Sequence, residues 1–413
     1  MIIDVIPWIV VGLALLGLGL SLWIVVPAPT MALLPLAVVA PEVSPLLLGV
    51  QGAIAIFTVV WFWNSDDWSV GLVELVELVG LVGNLGGMVL SSLPLWSLAP
   101  TIRHTQAQME AALGRDYGDR LPPTLQQQMR SQPFAWADIV RADMLRSIPQ
   151  REVRRDRQTI PTADGAALAV DLYRPASRPT NGDRLPLIVT IYGGAWQVGQ
   201  PEDTATFSRY MAAQSYGVAA IAYRHAPDYR FPTQLEDVQT SLQWLVHHAG
   251  DYQLDPTRIA LVGWSAGAHL AMLAAYHPNA LPVRAVVNYY GPVDLVQGYY
   301  NLPNPDPIDG RSVLETFLGG NPDDHPECYQ TASPLHWVRP GLPPTLLLYG
   351  DRDHLVKPVF GQQLDQQLKA AGNTSILIRL PWAEHAFDRV WTGMGNQIAL
   401  YHVERFLAHM LRS

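Results

Sequence analysis

The first hundred residues are dominated by long apolar runs. Three of them, residues 6–26, 46–63 and 70–98, each approach the length that an α-helix needs, at about 1.5 Å per residue, to cross a bilayer core of roughly 30 Å. Five prolines interrupt the apolar stretch Pro27 to Pro45, which predicts a bent connection. The first run is too long for a signal peptide, and no Lys or Arg precedes it. Residues 1–100 are therefore predicted to form two to three transmembrane helices.

The third apolar run carries polar side chains. Glu74, Glu77 and Asn84 fall near one face of a helix. Carboxyl groups within a membrane are costly, so they should face protein or water. Four glycines in the same run permit close helix approach, which favours packing in a small bundle over an ion path; they are Gly80, Gly83, Gly86 and Gly87.

Residues 101–150 form a polar connector with apolar residues at helical spacing. The pattern predicts a helix over Gln106 to Leu113 and an amphipathic helix over Phe134 to Ser147. These helices would lie on the membrane or cover the domain that follows.

From residue 151 onwards, short apolar runs alternate with helical patterns. This alternation predicts an α/β domain over residues 151–413, with a mostly parallel sheet and helices on both faces. Ligands of such sheets bind at the carboxyl ends of the strands. The predicted strands are Val153–Ile160, Ala167–Tyr173, Leu187–Tyr192, Val218–Tyr223, Ile259–Val262, Ala285–Tyr290, Thr345–Tyr349 and Ser375–Leu380.

Composition narrows the class of protein. The chain has 413 residues and a formal net charge of −9, without a basic block, so nucleic acid is not expected as a partner. The single cysteine, Cys328, excludes an intrachain disulfide. No group of histidines has metal-ligand spacing, and we expect no metal and no other cofactor.

The distribution of basic residues predicts an orientation. The first hundred residues contain no Lys or Arg, and the first four arginines follow the third apolar run: Arg103, Arg115, Arg120 and Arg130. Positive charges favour the cytoplasmic side of a membrane. We therefore expect an integral membrane protein with its C-terminal domain in the cytoplasm.

A nucleophile motif follows the fifth predicted strand. Gly263-Trp264-Ser265-Ala266-Gly267 leads directly into a helical pattern, so the strand joins the helix through a G-x-S-x-G turn. The glycines let strand and helix approach closely, which exposes the hydroxyl of Ser265 on a strained turn. The N–H of Ala266 would then point towards a developing oxyanion.

A base and an acid are expected after later strands. His385 follows the last predicted strand and is the candidate base. Asp353 follows the preceding strand and is the candidate acid, and Asp351 is its rival, better explained as a turn residue. An earlier glycine-rich turn, Tyr192 to Trp196, follows another strand and would supply the N–H groups of Gly194 and Ala195 to the same oxyanion.

These motifs together resemble the α/β-hydrolases of the hormone-sensitive-lipase and carboxylesterase group. Matching stretches occur in order through the domain: Tyr192 to Trp196, Tyr223 to Pro227, Phe231-Pro232 with Asp237, Gly263 to Gly267, Phe317 to Gly320, Gly350 to Val356, and His385 to Phe387. The resemblance implies an α/β-hydrolase fold and the roles of nucleophile for Ser265, base for His385 and acid for Asp353. It also implies that Gly194, Ala195 and Ala266 form the oxyanion hole.

The sequence departs from the usual motifs of this group at three positions, and it is also similar to two other families. Tyr192 stands where the group usually has His, Trp264 where it often has Asp or Gly, and Ala268 where it has a further Gly. The motifs are also similar to those of isoprenylcysteine methylesterases, which have N-terminal membrane spans, and of kynurenine formamidases, which do not.

The sequence thus predicts a membrane-anchored serine esterase of lipase type that acts on small-molecule or lipid esters. Residues 291–340 are expected to cap the site, and four aromatic residues to line the substrate pocket: Trp196, Trp264, Tyr299 and Tyr300. Lipid-like or prenylated substrates are suggested by proximity to the membrane. An amidase with the same triad, an acyltransferase and a non-catalytic binding module remain as alternatives.

Overall fold

The computed structural model describes residues 2–63, 72–141, 152–176 and 184–412. Its N-terminal part is a bundle of three long helices, α1 (Ile2–Leu22), α3 (Ser44–Trp63) and α4 (Leu72–Leu113), with a short helix α2 (Leu34–Glu42) between the first two. The predicted bend after the first apolar run therefore contains a helix. Helices α1 and α4 are parallel and in direct contact, since Gly80 lies against Val11 and Gly87 against Leu18, whereas α3 runs antiparallel to both.

A network of hydrogen bonds joins several polar side chains that are buried inside the bundle. The amide of Gln51 on α3 donates to Ser21 Oγ on α1 at 2.8 Å, and the hydroxyls of Ser21 and Ser91 lie 2.9 Å apart. Asn84 Nδ2 donates to the carbonyl oxygen of Gln51 at 2.7 Å. This network ties all three helices together at one level, and it fixes their register because an unpaired polar group there would be costly.

The predicted close approach of helices is confirmed at two of the four glycines. A Cβ atom at Gly80 would lie 2.7 Å from Val11 Cγ2, and one at Gly87 would lie 2.5 Å from Gln51 Nε2. The side chains of Glu74 and Glu77 lie outside the described residues.

Two described helices, α3 and α4, are long and apolar enough to cross a membrane by length and composition. In α1 the apolar part is the shorter stretch Trp8–Leu22. Helix α4 has 42 residues and includes Pro94 and Pro100, so the helix predicted at Gln106 to Leu113 is its last part and not a separate element. It ends at Gly114, whose φ of 93° suits a residue without a side chain.

The C-terminal part is built on an eight-stranded sheet in the order β1-β2-β4-β3-β5-β6-β7-β8. β1 and β2 are antiparallel to their neighbours, and β3 to β8 run parallel to one another. The strands are β1 (Val153–Pro161), β2 (Ala167–Pro175), β3 (Leu185–Ile191), β4 (Gly217–Ile221), β5 (Leu254–Trp264), β6 (Ala285–Tyr289), β7 (Thr345–Gly350) and β8 (Ser375–Leu380). The predicted α/β sheet is confirmed.

Further helices follow α4 along the chain, and several of them cover the two faces of this sheet. They are α5 (Pro123–Gln126), α6 (Trp136–Arg141), α7 (Ala205–Ala213), α8 (Thr233–His247), α9 (Ala266–Tyr276), α10 (Leu295–Tyr300), α11 (Gly310–Leu318), α12 (Pro326–Thr331), α13 (Pro358–Ala370) and α14 (Met394–Arg412). Helix α6 lies within the amphipathic helix predicted at 134–147, of which residues 142–147 are outside the described part. Helices α10 to α12 lie between β6 and β7, where a cap is expected.

The bundle and the sheet share one hydrophobic core. Leu98, Met109 and Leu113 of α4 are buried in the same cluster as the strands, and α4 packs against β8, the last strand of the sheet. Thr105 on α4 also lies 2.8 Å, through Oγ1, from His402 Nε2 on α14. Because an uncovered edge strand invites non-native pairing, the C-terminal half of α4 is part of the fold of the sheet.

Candidate active site

The candidate nucleophile lies between β5 and α9. Ser265 has φ 51° and ψ −120°, a strained conformation for a residue with a side chain. A Cβ atom at Gly263 would lie 2.4 Å from the carbonyl oxygen of Gly267, and one at Gly267 would lie 2.1 Å from that of Ile191. Only glycine fits at these positions, so strand and helix meet closely. The hydroxyl of Ser265 is thereby left at the carboxyl end of β5.

The structure brings the three residues of the predicted triad together. His385 Nε2 lies 3.1 Å from Ser265 Oγ, and His385 Nδ1 lies 2.8 Å from Asp353 Oδ2. The other oxygen of Asp353 accepts the N–H groups of Leu355 and Val356 at 2.8 and 2.7 Å. Asp353 is thus oriented by its own loop, and with Nδ1 protonated it holds the imidazole so that Nε2 faces the hydroxyl.

The rival acid, Asp351, lies elsewhere. Its carboxylate accepts a hydrogen bond from Arg379 Nε at 2.7 Å, in a partly exposed ion pair between β8 and the start of the loop. Asp351 therefore lies at the turn and pairs with Arg379, in line with its interpretation as a turn residue.

The electrostatic surroundings of His385 favour a proton on the ring. Burial lowers its pKa, but the carboxyl groups of Asp353, Glu384 and Asp388 raise it by more, so that its pKa lies above the usual 6.5. An imidazolium formed during proton transfer would be stabilised by the same carboxylates.

The predicted oxyanion elements lie beside the nucleophile. Gly194 and Ala195 follow β3 with φ values of 136° and 53°, and together with Ala266 they line the cavity that contains Ser265. Ala266 is the first residue of α9, where backbone N–H groups have no partner within the helix. Two backbone segments, Gly194-Ala195 and the start of α9, thus lie at the same cavity as the hydroxyl, which is the arrangement expected of an oxyanion hole.

A cavity of about 640 Å³ opens in front of Ser265 and His385, a size typical of small-molecule sites. Its walls are mostly apolar and come from the β3 loop, the α10 to α11 region and the loops after β7 and β8. Trp196 and Trp264, both predicted to line the pocket, do so. Trp196 also stacks on Phe317 and donates to His269 Nδ1 at 3.2 Å, so much of its indole supports the cap.

Tyr299 and Tyr300, the other predicted pocket residues, are a correction. Neither belongs to the described residues that line the cavity. The hydroxyl of Tyr299 donates to Glu315 at 2.6 Å, and that of Tyr300 donates to Asp323 at 2.7 Å. Both side chains therefore connect helix α10 to other parts of the cap, and their neighbour Leu302 lines the cavity instead.

Sequence reasoning missed a second histidine–carboxylate pair. Glu384 is buried and accepts hydrogen bonds from His354 Nδ1 at 2.6 Å and from the N–H groups of His354 and His385 at 2.7 and 2.9 Å. Each of the two loops thus provides a carboxylate to the histidine of the other. The signal was readable, because both loops contain an acid followed directly by histidine, Asp353-His354 and Glu384-His385.

Sequence reasoning also missed Tyr290 and two residues of the N-terminal region. Tyr290, at φ 44°, places its ring 4.4 Å from that of His385, and its hydroxyl donates to Asp388. Met31 and Leu34 line the cavity although they precede Ser265 by more than two hundred residues. No local pattern in the chain indicates that contact.

Comparisons with known proteins show what this chain is similar to. The sequence model of the BD-FAE family matches residues 170–368. LipM of Mycobacterium tuberculosis, described as a probable carboxylic ester hydrolase, is 29% identical over 336 residues, 78% of this chain and 76% of that protein. The esterase LipQ of the same organism is 30% identical, over 61% of this chain and 62% of LipQ.

More distant similarities extend the comparison. A probable isoprenylcysteine alpha-carbonyl methylesterase from Oryza sativa subsp. japonica, ICMEL1, is 30% identical over 45% of this chain and 47% of that protein. The structure of a bacterial heroin esterase superposes with a TM-score of 0.58 at 24% identity, over 71% of this chain and 99% of that one. At this identity the structural likeness establishes the fold alone.

Substitution of the two aspartates separates the acid from the turn residue. In Asp353→Asn the imidazole loses the partner that selects its tautomer, and we expect kcat for p-nitrophenyl butyrate to fall by about 10⁴-fold. In the matched control Asp351→Asn, loss of a partly exposed ion pair worth about 0.2–1 kcal/mol should change kcat less than about twofold. Equal losses in the two variants would contradict the assignment of Asp353.

The pH profile tests the surroundings of His385. The base must be neutral, so kcat/KM should rise with pH, with a midpoint above 6.5 because the pKa of His385 is raised. In Glu384→Gln one of the charges that raise this pKa is removed, and the midpoint should move to lower pH. Asp351→Asn serves as control with an unchanged midpoint. A midpoint in Glu384→Gln equal to that of the unmodified chain would show that Glu384 does not act on His385.

Proposed function

We propose that this chain, which belongs to the α/β-hydrolase esterases and is a carboxylic ester hydrolase, works as a membrane-anchored serine enzyme on esters with apolar acyl chains. The observation that carries the catalytic part of the proposal is the continuous path Ser265–His385–Asp353, with distances of 3.1 and 2.8 Å, at the mouth of an apolar cavity.

The chemistry follows from this arrangement. Ser265 Oγ attacks the ester carbonyl while His385 Nε2 takes its proton, and Asp353 stabilises the imidazolium that results. The N–H groups of Gly194, Ala195 and Ala266 bind the oxyanion of the tetrahedral intermediate. His385 returns the proton to the departing alcohol. A water molecule, activated in turn by His385, then releases the acid from the acyl-enzyme.

The character of the cavity supports an apolar acyl group. Its walls include Leu295, Leu302 and Leu314 from the cap and Phe360 from α13. Burial of an apolar chain against such walls contributes about 0.8 kcal/mol per CH₂ group. A lipid-like or prenylated ester fits this preference better than a polar one does.

The outer surface of the helix bundle supports the membrane anchor. Ile56 on α3 and Val82 on α4 are 68% and 61% exposed, while Ser21, Gln51 and Ser91 are hydrogen-bonded to one another inside the bundle. A bilayer would cover the apolar surface, and these internal hydrogen bonds are of the kind that polar groups within a membrane require. In this proposal the catalytic part lies on the cytoplasmic side, because positive charges favour that side and Arg115, Arg120 and Arg130 follow α4.

A serine-directed experiment tests the enzyme. The full chain in detergent should hydrolyse p-nitrophenyl esters from acetate to laurate and react with a fluorophosphonate, and Ser265→Ala should lose both, with kcat reduced by about 10⁴-fold or more. The p-nitroanilides of the same acids serve as a comparison, since faster cleavage of the anilides would identify an amidase. Absence of both hydrolysis and labelling in the unmodified chain would favour a binding module.

Fractionation tests the anchor. Membranes from cells that express the full chain should retain it after washing with alkaline carbonate and release it in detergent, because apolar helices within a bilayer are not extracted by salt or pH. A green fluorescent protein fused after Ser413 should fluoresce if this end is cytoplasmic. Release of the chain by carbonate alone would contradict the membrane anchor, and a dark fusion would contradict the orientation.

A further inference from the structure

One wall of the active-site cavity comes from the N-terminal region. Met31 and Leu34 line the cavity together with Ser265 and His385. Leu34 is buried, whereas Met31 is 48% exposed and stands where the cavity meets the surface. Both residues lie in the connection between α1 and α3, so the part of the chain nearest to the proposed membrane also faces the reacting groups.

Hydrophobic contacts fix this wall to the catalytic loops. Leu34 belongs to a small buried cluster of residues 28–38, and Leu355 and Val390 pack against it. Leu355 lies two residues after Asp353, and Val390 lies in the loop that follows His385. The wall therefore touches both loops that carry the base and the acid, and its position is set relative to them.

Two polar contacts hold the ends of the segment 25–42, to which Met31 and Leu34 belong. At its start, Arg352 Nη2 donates to the carbonyl oxygen of Val25 at 2.6 Å. At its end, the buried carboxyl group of Glu42 accepts the N–H of Gly395 at 2.6 Å and Trp382 Nε1–H at 3.2 Å. A Cβ atom at Gly395 would lie 2.6 Å from Glu42 Oε1, so the catalytic domain has a space shaped for this carboxyl group.

Glu42 is a buried carboxyl group with a hydrogen bond at each oxygen. Burial raises the pKa of this carboxyl group to about 8, although its hydrogen bonds oppose the shift. A carboxyl group is rarely buried without a partner, and here both oxygens have one. The contact between the bundle and the domain thus includes a buried acid that is bonded to the backbone at Gly395.

We infer that residues 25–42 form the acyl-selective wall of the active site, with Met31 and Leu34 as specificity-determining residues for esters of long apolar acyl chains that enter past Met31. This inference rests on the proposed function. In it, the acyl chain lies along Met31 and Leu34 while its carbonyl carbon faces Ser265. Short acyl chains do not reach the wall, so kcat/KM for their esters should not depend on Met31 and Leu34.

Acyl-length profiles test the inference on the full chain in detergent. Met31→Trp adds bulk at the half-exposed rim, and we expect kcat/KM for p-nitrophenyl laurate to fall about tenfold relative to the acetate. Leu34→Ala enlarges the cavity and should move the preferred chain length upwards. Leu36→Trp is the matched control, since Leu36 lies on the same helix as Leu34 but is exposed and is not among the residues that line the cavity. The acyl-length profile of this variant should not change.

Fluorophosphonate labelling separates the possible failures. A small probe should label Leu36→Trp at the rate of the unmodified chain, and in Met31→Trp the labelling rate should fall much less than laurate hydrolysis does, which would show that Ser265 and His385 are intact. Equal losses for laurate and acetate with slowed labelling, or unchanged length profiles in both Met31→Trp and Leu34→Ala, would overturn the inference and leave the proposed function standing. An unmodified chain that neither hydrolyses nor labels would overturn both.

Discussion

The site depends on the contact between the start of helix α9 and the end of strand β3. Gly267 approaches the carbonyl oxygens of Ile191 and Tyr192 so closely that a Cβ atom would lie 2.1 and 2.3 Å from them. One side of this contact carries the nucleophile turn, and the other begins the loop with Gly194 and Ala195. A single close approach thus sets the distance between the attacking hydroxyl and the N–H groups that would receive the oxyanion.

The base is positioned by a different principle. His385 and Asp353 lie on separate loops, and parallel strands β7 and β8 bring those loops to the same edge of the sheet. The exchange of partners between the two loops, with Glu384 paired to His354, ties them together a second time. Preorganisation here results from two crossed histidine–carboxylate hydrogen bonds in addition to backbone hydrogen bonds.

Much of this arrangement could be predicted because local patterns carried it. The buried strands are short apolar runs, and Ser265, Asp353 and His385 each follow one of them in the order typical of the fold. Tyr299 and Tyr300 were misplaced because proximity along the chain says nothing about which side of a short helix faces the site. Met31 and Leu34 were missed because their contacts depend on how two distant parts of the chain pack, which no periodicity records.

The full length of α4 could not be predicted from the sequence. The change from apolar to polar composition suggested an end near residue 98, yet α4 continues past Pro94 and Pro100 to Leu113 and packs on β8. Proline removes one backbone hydrogen bond, and neighbouring elements can make up for that loss.

Helix α4 has a mechanical consequence. Its 42 residues span about 63 Å, roughly twice the thickness of a bilayer core. In the proposed membrane setting it is a rigid strut and not a flexible tether, because its far end is embedded in the core of the catalytic domain. The catalytic serine would then stay at one height above the lipid, and encounter with substrate becomes a two-dimensional search along the bilayer surface.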